Sequence, residues 1–239
     1  MKKLYRLLTA CMVGMMLTGC LYPQSELTKN QVPNEAQLEM VQSAVEQYKE
    51  ENNGIVPIKT KENDVSLYEK YVVDFTKLRE EQYLAEIPGT AYENGGVYQY
   101  VLIDPEDAIA VKLIDLRLTD KLREVNLKLN EYRVKNTYPP FGEQIEKGVF
   151  QLNYEKLGYK SEPYVVSPYS SENLPFVIDA NGDLFIDYRI DLAKMLEKYD
   201  HDFKEGDDIR PILTDHAPFV PTYSLPYTLE GNEPKFLVK

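Results

Sequence analysis

Residues 97–118 read VYQYVLIDPEDAIAVKLIDLRL, and this stretch predicts the element around which the fold is built. Val97–Ile103 and Ile109–Leu118 are both rich in β-branched, aromatic and aliphatic residues, as strands are. Between them Asp104–Asp107 holds a proline and three acidic residues, a composition typical of a turn. Two apolar runs joined across such a turn predict a β-hairpin.

A second stretch, residues 176–190, repeats the pattern as FVIDANGDLFIDYRI. Its predicted strands are Phe176–Asp179 and Leu184–Ile190, and they flank an Asn-Gly pair. Asn-Gly between alternating apolar runs strongly favours a tight hairpin turn. The sequence therefore predicts two hairpins, and we expect their tips, at Pro105 and Gly182, to be exposed.

An amphipathic helix is predicted before each hairpin. Asn34 can cap the first helix, and either Thr119 or Asp120 can cap the second. The apolar positions of the two helices align without a gap: Leu38, Val41, Val45 and Tyr48 with Leu122, Val125, Leu129 and Tyr132. Further matches keep the same order, so we expect residues 35–118 and 119–200 to be two related helix-plus-hairpin units. The alternative is that such patterns resemble one another by chance.

The shorter elements complete a prediction of the α+β class. Leu67–Val73 is predicted to be a short strand, and Phe75–Leu84 a short helix capped by Asp74. Asp191 is a candidate cap for a third helix. Residues 201–239 change character and carry repeated prolines, which predicts a Pro-rich C-terminal tail in extended conformation, either laid over the body or partly loose.

The first twenty residues have the composition of an export signal. Met1–Arg6 is basic and Leu7–Thr18 is a short apolar run that ends in Leu-Thr-Gly-Cys. The run is shorter than the roughly 20 apolar residues that a transmembrane helix needs. We therefore expect residues 1–19 to be a cleaved signal peptide. Residues 20–34 are polar and lack periodicity, which predicts a flexible tether.

Composition excludes several functional classes. The formal net charge is −12, from 27 basic and 39 acidic residues, so the chain's net field does not attract nucleic acid or anionic lipids. The 43% of hydrophobic residues is enough for a folded core. Of the two cysteines, Cys11 lies in the predicted signal and Cys20 at its end. The predicted mature chain therefore offers no disulfide, no cysteine metal ligand and no thiol nucleophile.

Two Asp-x-Arg pairs are the candidate binding residues. Asp115 and Arg117 lie in the first hairpin, and Asp187 and Arg189 occupy the matching place in the second. Residues two apart on a strand point to the same face, so the pairs predict a repeated ligand-binding face. The alternative is a cross-strand ion pair on a solvated sheet face.

No motif of a known chemistry is present. Asp179–Asp183 resembles part of a calcium loop, but Ile190 stands where an EF-hand needs a glutamate, so no metal site is predicted. His201 and His216 lie outside any hydrolase, zinc-protease or phosphate-loop signature. The sequence therefore predicts neither a cofactor nor catalytic residues.

The chain resembles a family of lipoproteins at several places. The residues that carry the resemblance are Leu17–Pro23, Gln42–Val45, Pro57–Thr60 and Gly96–Leu102, which are similar to the uncharacterised YphF-like lipoproteins of Bacillus-type bacteria. The Leu17–Cys20 segment resembles a lipobox, which implies that Cys20 receives a diacylglyceryl group and becomes the first mature residue. Some relatives are described as binding proteins of ABC transporters, although the repeated βαβ alternation of two-lobed solute-binding proteins is absent here.

These observations lead to one expected function and one alternative. We expect a non-enzymatic interaction protein, anchored to the cell membrane through the lipid on Cys20 and facing the extracytoplasmic side. Its partner is an unknown protein or small molecule and not a nucleic acid. The alternative is a solute-binding lipoprotein of an ABC-type transporter.

Overall fold

The first half of the chain folds as a long helix packed on a sheet. The computed structural model describes residues 32–60 and 65–237, so the predicted signal peptide and Cys20 lie outside the described residues. Asn34 caps the first helix as predicted, because its side-chain oxygen accepts a hydrogen bond from Gln37 N at 3.2 Å. The helix, α1, spans Glu35–Glu51 and buries Val41, Ala44, Val45 and Tyr48.

The first sheet has four antiparallel strands in the order β1-β2-β3-β4. Their bounds are β1 Ile58–Thr60, β2 Tyr71–Val73, β3 Tyr98–Ile103 and β4 Ala110–Asp115. Two short helices flank β2: α2 (Leu67–Lys70) precedes it and α3 (Phe75–Glu80), capped by Asp74, follows it. The prediction of a strand over Leu67–Val73 is therefore wrong in its first half. The β3–β4 hairpin is confirmed.

The strand β4 ends earlier than the β-rich composition predicts. The Asp115 carboxylate accepts a hydrogen bond from Arg117 N at 3.0 Å and so caps the next helix, α4, which spans Leu116–Asn136. Thr119 and Asp120, the predicted caps, lie inside this helix. A capping carboxylate starts a helix because it satisfies a free backbone N–H, and here this outweighs the β propensity of the sequence to Leu118.

The second sheet is built from the next part of the chain. Its strands are β5 Phe141–Glu146, β6 Val149–Leu152, β7 Tyr164–Val166, β8 Asn173–Asp179 and β9 Leu184–Ile186. They are ordered β5-β6-β8-β7, and β9 pairs with β8. Asn153 caps a 3-10 turn, Tyr154–Leu157, between β6 and β7.

The two halves share an order of elements. Each begins with a long helix and two paired strands, continues with a helical turn capped by Asp74 or Asn153, and ends with a hairpin. The strand β7 has no counterpart in the first half. Val45 and Leu129, which the aligned helices predict to be buried, are both fully buried. The molecule is thus of the mixed α+β class.

The second hairpin differs from its prediction in two places, the end of its second strand and its tip. The strand β9 stops at Ile186, and Arg189 begins the helix α5 (Arg189–Lys198), so Asp191 lies inside this helix and does not cap it. Gly182, expected to be exposed, is buried because the tip lies against Pro139 of the loop after α4. Pro105 at the other tip is half-buried.

The C-terminal segment is ordered and contributes to the core. It contains the helix α6 (Pro211–Asp215) and a hairpin of β10 (Tyr227–Glu230) and β11 (Glu233–Phe236). Ile209, Leu213 and Tyr227 are completely buried. The prediction of an extended tail is wrong here, because these apolar side chains fill the core of the second sheet.

Between α6 and β10 the C-terminal segment joins the two sheets. Leu113 N of β4 donates to Pro218 O at 2.8 Å, and Val220 N donates to Leu113 O at 3.1 Å. A few residues later, Ile186 N of β9 donates to Tyr223 O at 2.9 Å. Residues 218–223 therefore bond to β4 and to β9 in turn.

Candidate functional site

Asp115 and Arg117 form a closed ion pair at the start of α4. Asp115 Oδ1 accepts hydrogen bonds from Arg117 N at 3.0 Å and Arg117 Nε at 2.8 Å. Asp115 Oδ2 accepts from Arg117 Nη2 at 2.6 Å. The carboxylate is buried, whereas the arginine side chain is 51% exposed. One carboxylate thus caps the helix and orients the guanidinium, as bidentate Arg–Asp pairs do.

Asp187 and Arg189 repeat this geometry at the start of α5. Asp187 Oδ1 accepts from Arg189 N and Arg189 Nε, both at 3.0 Å, and Oδ2 accepts from Arg189 Nη2 at 2.6 Å. In both pairs the carboxylate bonds to the arginine two residues ahead of it, and each arginine belongs to a helix. The expectation of strand residues that share a face, or of a cross-strand ion pair, is therefore wrong.

A third pair of the same kind lies in the C-terminal segment. Asp208 accepts from Arg210 N at 3.1 Å, from Arg210 Nε at 3.0 Å and from Arg210 Nη2 at 2.6 Å, directly before α6. This third pair was not predicted. The Asp-x-Arg spacing followed by a proline at the first helical position does indicate a helix start. The motif is therefore a repeated helix start.

The structure does not bring the predicted pairs into one binding face. Arg189 lies over the ring of Phe236, 4.9 Å from its centroid, and close to Glu146. Arg117 lies instead beside Tyr98, to whose hydroxyl its Nη2 donates at 3.3 Å. Asp115 and Arg117 line a cleft that Asp187 and Arg189 do not reach.

This inter-sheet cleft has a volume of about 610 Å³. One wall carries Tyr98 and Phe219, whose ring centroids are 5.7 Å apart. The facing wall is the strand β7 with the loop that follows it, and the first turns of α4 close one end. Val32 and Pro33, where the described chain begins, also line the cleft.

The strand β7 presents a free edge to this cleft. Within the described ranges it pairs only with β8. Ser167 N donates to Glu172 O across the hairpin, so by strand alternation the N–H groups of Tyr164 and Val166 point away from β8. Their side chains are about half exposed, whereas Val165 is buried against the core. A short edge strand with exposed apolar side chains is a surface that an extended peptide can extend.

Burial of Tyr98 and the hydrogen bonds between Arg117 and Asp115 keep these polar groups of the cleft in fixed protonation states. Burial raises the pKa of Tyr98 to about 12, and the nearby Arg117 charge lowers it only in part. Hydrogen bonds to Asp115 raise the pKa of Arg117. At neutral pH the phenol is therefore protonated and the guanidinium charged, an arrangement suited to binding and orienting a ligand.

Residues 32–60 and 65–237 contain neither a metal-binding cluster nor a membrane-spanning helix. In these ranges no group of three or more His, Cys, Asp or Glu side chains is placed to hold a metal ion. His216 stacks on Tyr199 with ring centroids 3.6 Å apart. None of the helices in the same ranges combines the length and apolarity needed to cross a bilayer.

A known protein family matches part of the chain. The family described as the YphF family N-terminal domain matches residues 34–115, which run from the cap of α1 to the last residue of β4. No curated protein and no solved structure matches the chain.

Proposed function

Because residues 34–115 match the YphF family N-terminal domain, we propose that this chain is a lipid-anchored binding protein on the extracytoplasmic side of the membrane. It acts without catalysis of its own and binds a protein partner in the inter-sheet cleft. The observation that carries the proposal is the free edge of β7, which borders the cleft beside exposed Tyr164 and Val166. Exposed apolar side chains beside unpaired backbone groups favour a protein partner.

The anchor is proposed from the sequence, since Cys20 lies outside the described residues. A basic head, a short apolar run and Leu-Thr-Gly-Cys support signal processing at residue 19 and a diacylglyceryl group on Cys20. Two acyl chains hold a protein to a bilayer stably, whereas one does not. Only twelve positions separate Cys20 from Val32, which supports a cleft that works close to the membrane surface.

Replacing Cys20 by alanine tests the anchor. We expect the Cys20→Ala chain to lose incorporation of labelled palmitate and to keep its signal peptide, because the lipid-accepting thiol is gone. The measurement is metabolic labelling followed by mass determination of the chain. Cys11→Ala is the matched control and should label normally. Palmitate incorporation by the Cys20→Ala chain would overturn the proposed anchor.

Site-specific photocrosslinking tests the partner site. A photoreactive residue at Tyr164 should give a defined crosslinked protein in intact cells, and the same residue at exposed Leu127 of α4 should not. Val166→Pro removes one outward N–H of β7 and should abolish the crosslink, whereas Val166→Thr should keep it. The same crosslink from both positions, or one that survives Val166→Pro, would contradict binding at this edge.

The second candidate is the solute-binding subunit of an ABC-type transporter. Its support is the cleft volume of about 610 Å³, which lies within the range of small-molecule sites. This candidate expects transport of one nutrient to fail when the gene is deleted. The interaction proposal expects the transport of every nutrient to continue in the deletion strain.

We also propose that the two halves arose by duplication of one helix-plus-hairpin unit. Support comes from the shared order of elements, the Asx-capped turns at Asp74 and Asn153, and the Asp-x-Arg starts of α4 and α5. In this reading residues 201–239, the Pro-rich segment, were added to join the pair. Superposition of Asp115 on Asp187 should then align β3–β4 with β8–β9.

A further inference from the structure

A second cavity lies on the other side of Arg117 from the cleft. Its volume is about 490 Å³, and Arg117 is the one residue that it shares with the described lining of the cleft. Four parts of the chain meet here: α2, β3 with the turn before it, the end of β4 with the first two turns of α4, and the segment 218–223. The polar side chains around this α4 cavity are those of Glu69, Gln99, Thr119, Asp120, Arg123 and Tyr223.

One polar group in the wall is buried without a well-formed hydrogen bond. The hydroxyl oxygen of Thr119 has no partner of good hydrogen-bond geometry among the described residues, and its weak hydrogen bond with the Tyr223 phenol lowers the pKa of that phenol. A buried hydroxyl left unpaired costs free energy, so a native structure normally supplies it with a partner. A ligand polar atom in the cavity would be such a partner.

Beside Thr119, the backbone of Tyr223 is held in an unfavourable conformation. Tyr223 has φ 52°, in the left-handed region that residues with a Cβ seldom adopt. Its N–H donates to Glu69 Oε1 at 3.0 Å, which fixes the strained residue against α2. Strain of this kind is found preferentially where a side chain must be held ready for a ligand.

Opposite charges stand side by side at the rim. Arg123 Nη1 and Asp120 Oδ1 are 3.4 Å apart, and both side chains are mostly exposed, at 69% and 74%. Exposed pairs with this geometry contribute little, so a ligand that carries both charges can replace the pair at small cost. The Arg117 guanidinium is different, because it is committed to buried Asp115.

We propose that the α4 cavity binds a small zwitterionic ligand of the free amino acid or dipeptide class. The ligand carboxylate bonds to Arg123, its ammonium group lies against Asp120, and a polar atom of its backbone bonds to the Thr119 hydroxyl. Tyr92, which is largely exposed at the rim, covers the ligand side chain. This site is independent of partner binding at β7.

Calorimetric titration of the lipidated protein in detergent tests the site. The probes are the free L-amino acids and alanyl-alanine, each beside its N-acetyl and methyl-ester analogue. At least one zwitterion should bind with one-to-one stoichiometry, and loss of either charge should weaken binding about two- to fivefold, because the charged contacts at the rim are exposed. Arg123→Gln and Thr119→Val should weaken it by a similar factor, because each removes one proposed contact.

The control variant is Leu127→Ala on the exposed face of α4, which should bind the zwitterion as the unaltered chain does. Three results overturn the proposal: no binding of any zwitterion at millimolar concentration, equal binding of the one-charge analogues, or binding of a neutral disaccharide such as maltose in their place. Photocrosslinking from Tyr164 reads out the β7 site separately. The two proposals can therefore fail independently.

Discussion

Asp191 shows what burial does to a single carboxylate. It lies in the first turn of α5 and is only 1% exposed. Ser167 donates to it at 2.8 Å and Ser170 at 2.5 Å, which ties the loop after β7 to the helix. Burial raises the pKa of Asp191, and these two hydroxyls offset that effect only in part. The protonated carboxyl is therefore favoured in the folded chain more than in the unfolded one.

This shift predicts a pH-dependent contribution to stability. The stabilising effect of protonation is fully present below the ordinary aspartate pKa and is lost as the pH rises through the raised folded-state value. Asp191→Asn should remove this pH-dependent component. As the pH rises, the free energy of unfolding of the wild type should therefore fall relative to that of the variant. Urea unfolding between about pH 3.5 and 7 measures it. Exposed Asp120→Asn is the control, and equal slopes for the two variants would contradict the prediction.

Gly182 shows that local sequence patterns predict a turn but not the burial of its tip. Asn-Gly correctly predicts the tight turn of this hairpin, and the residue has φ 81° as such a turn requires. Exposure was predicted wrongly because the neighbour that covers the tip, Pro139, comes from a loop more than forty positions earlier. Local patterns report backbone conformation, and they hold no information about such a distant contact.

Gly182→Ala should therefore lower the free energy of unfolding by more than the strain of a positive φ alone would. A Cβ at this position would lie 2.3 Å from Pro139 Cγ. Gly158 is the matched control, since it has the same φ of 81° and a Cβ added there would meet no atom within 4 Å. We expect about 1–2 kcal/mol from backbone strain in both variants and about 1–3 kcal/mol more in Gly182→Ala from overlap. Chemical denaturation gives both values, and equal losses would contradict the packing argument.

At the scale of elements, periodicity and capping account for most of what could be predicted. The α1 helix, the β3–β4 hairpin and the Asx-capped turns follow from residues close together in sequence. The starts of α4 and α5 were misplaced because Asp115 and Asp187 were interpreted as strand residues. Each carboxylate accepts a hydrogen bond from the backbone N–H two residues ahead, and at Asp115 this cap decides the helix start against the β propensity around it.

Lys112 of β4 joins two elements that the sequence does not relate. Its Nζ donates to Thr214 O at 2.5 Å and to Ala217 O at 3.0 Å, at the C-terminal end of α6. Burial lowers the pKa of this lysine, and the nearby Asp215 charge acts in the opposite direction. A cation at a helix C-terminus is favourable, and here it also satisfies free carbonyl groups.

Lys112→Met should destabilise the fold by about 1.5–3 kcal/mol, because two carbonyl oxygens lose a charged donor while the aliphatic packing is kept. The matched control is Lys49→Met, since Lys49 Nζ bonds to the single carbonyl of Pro105 at 2.9 Å. Thermal or urea unfolding compares the two variants. A smaller loss for Lys112→Met than for Lys49→Met would show that α6 does not depend on this contact.

At the scale of the whole molecule, composition correctly indicates the α+β class, and the C-terminal segment is what it cannot foresee. Repeated prolines suggested an extended tail, and residues 218–223 are indeed extended where they bond to β4 and β9. Their neighbours, however, fill the second core with Ile209, Leu213 and Tyr227. Proline content reports a local restriction on φ, whereas the pairing depends on edges formed far away in sequence.

A chain truncated after Ala217 should therefore fail to fold cooperatively. It would leave Leu113 and Ile186 without their backbone partners and would remove buried Phe219 and Tyr227. We expect a broad unfolding transition and rapid proteolysis, measured by circular dichroism and limited trypsin digestion. The control is a chain that ends at Leu237, which keeps β10 and β11 and should unfold as the full chain does. A sharp transition in the shorter chain would contradict the prediction.

The hydrogen bonds of the C-terminal segment also determine the order in which parts of the chain can fold during export. A chain that emerges from its N-terminus completes the first sheet early, yet Lys112 must wait for carbonyl groups 102 residues later. Until then the edge of β4 is open, and contacts so distant in sequence form slowly. The chain, which we propose is exported, would thus remain incompletely folded while it passes through a translocation channel. Its two sheets would be joined only after nearly all of the chain has crossed. Slow closure would then aid secretion, and the exposed edge would call for a folding helper on the far side of the membrane.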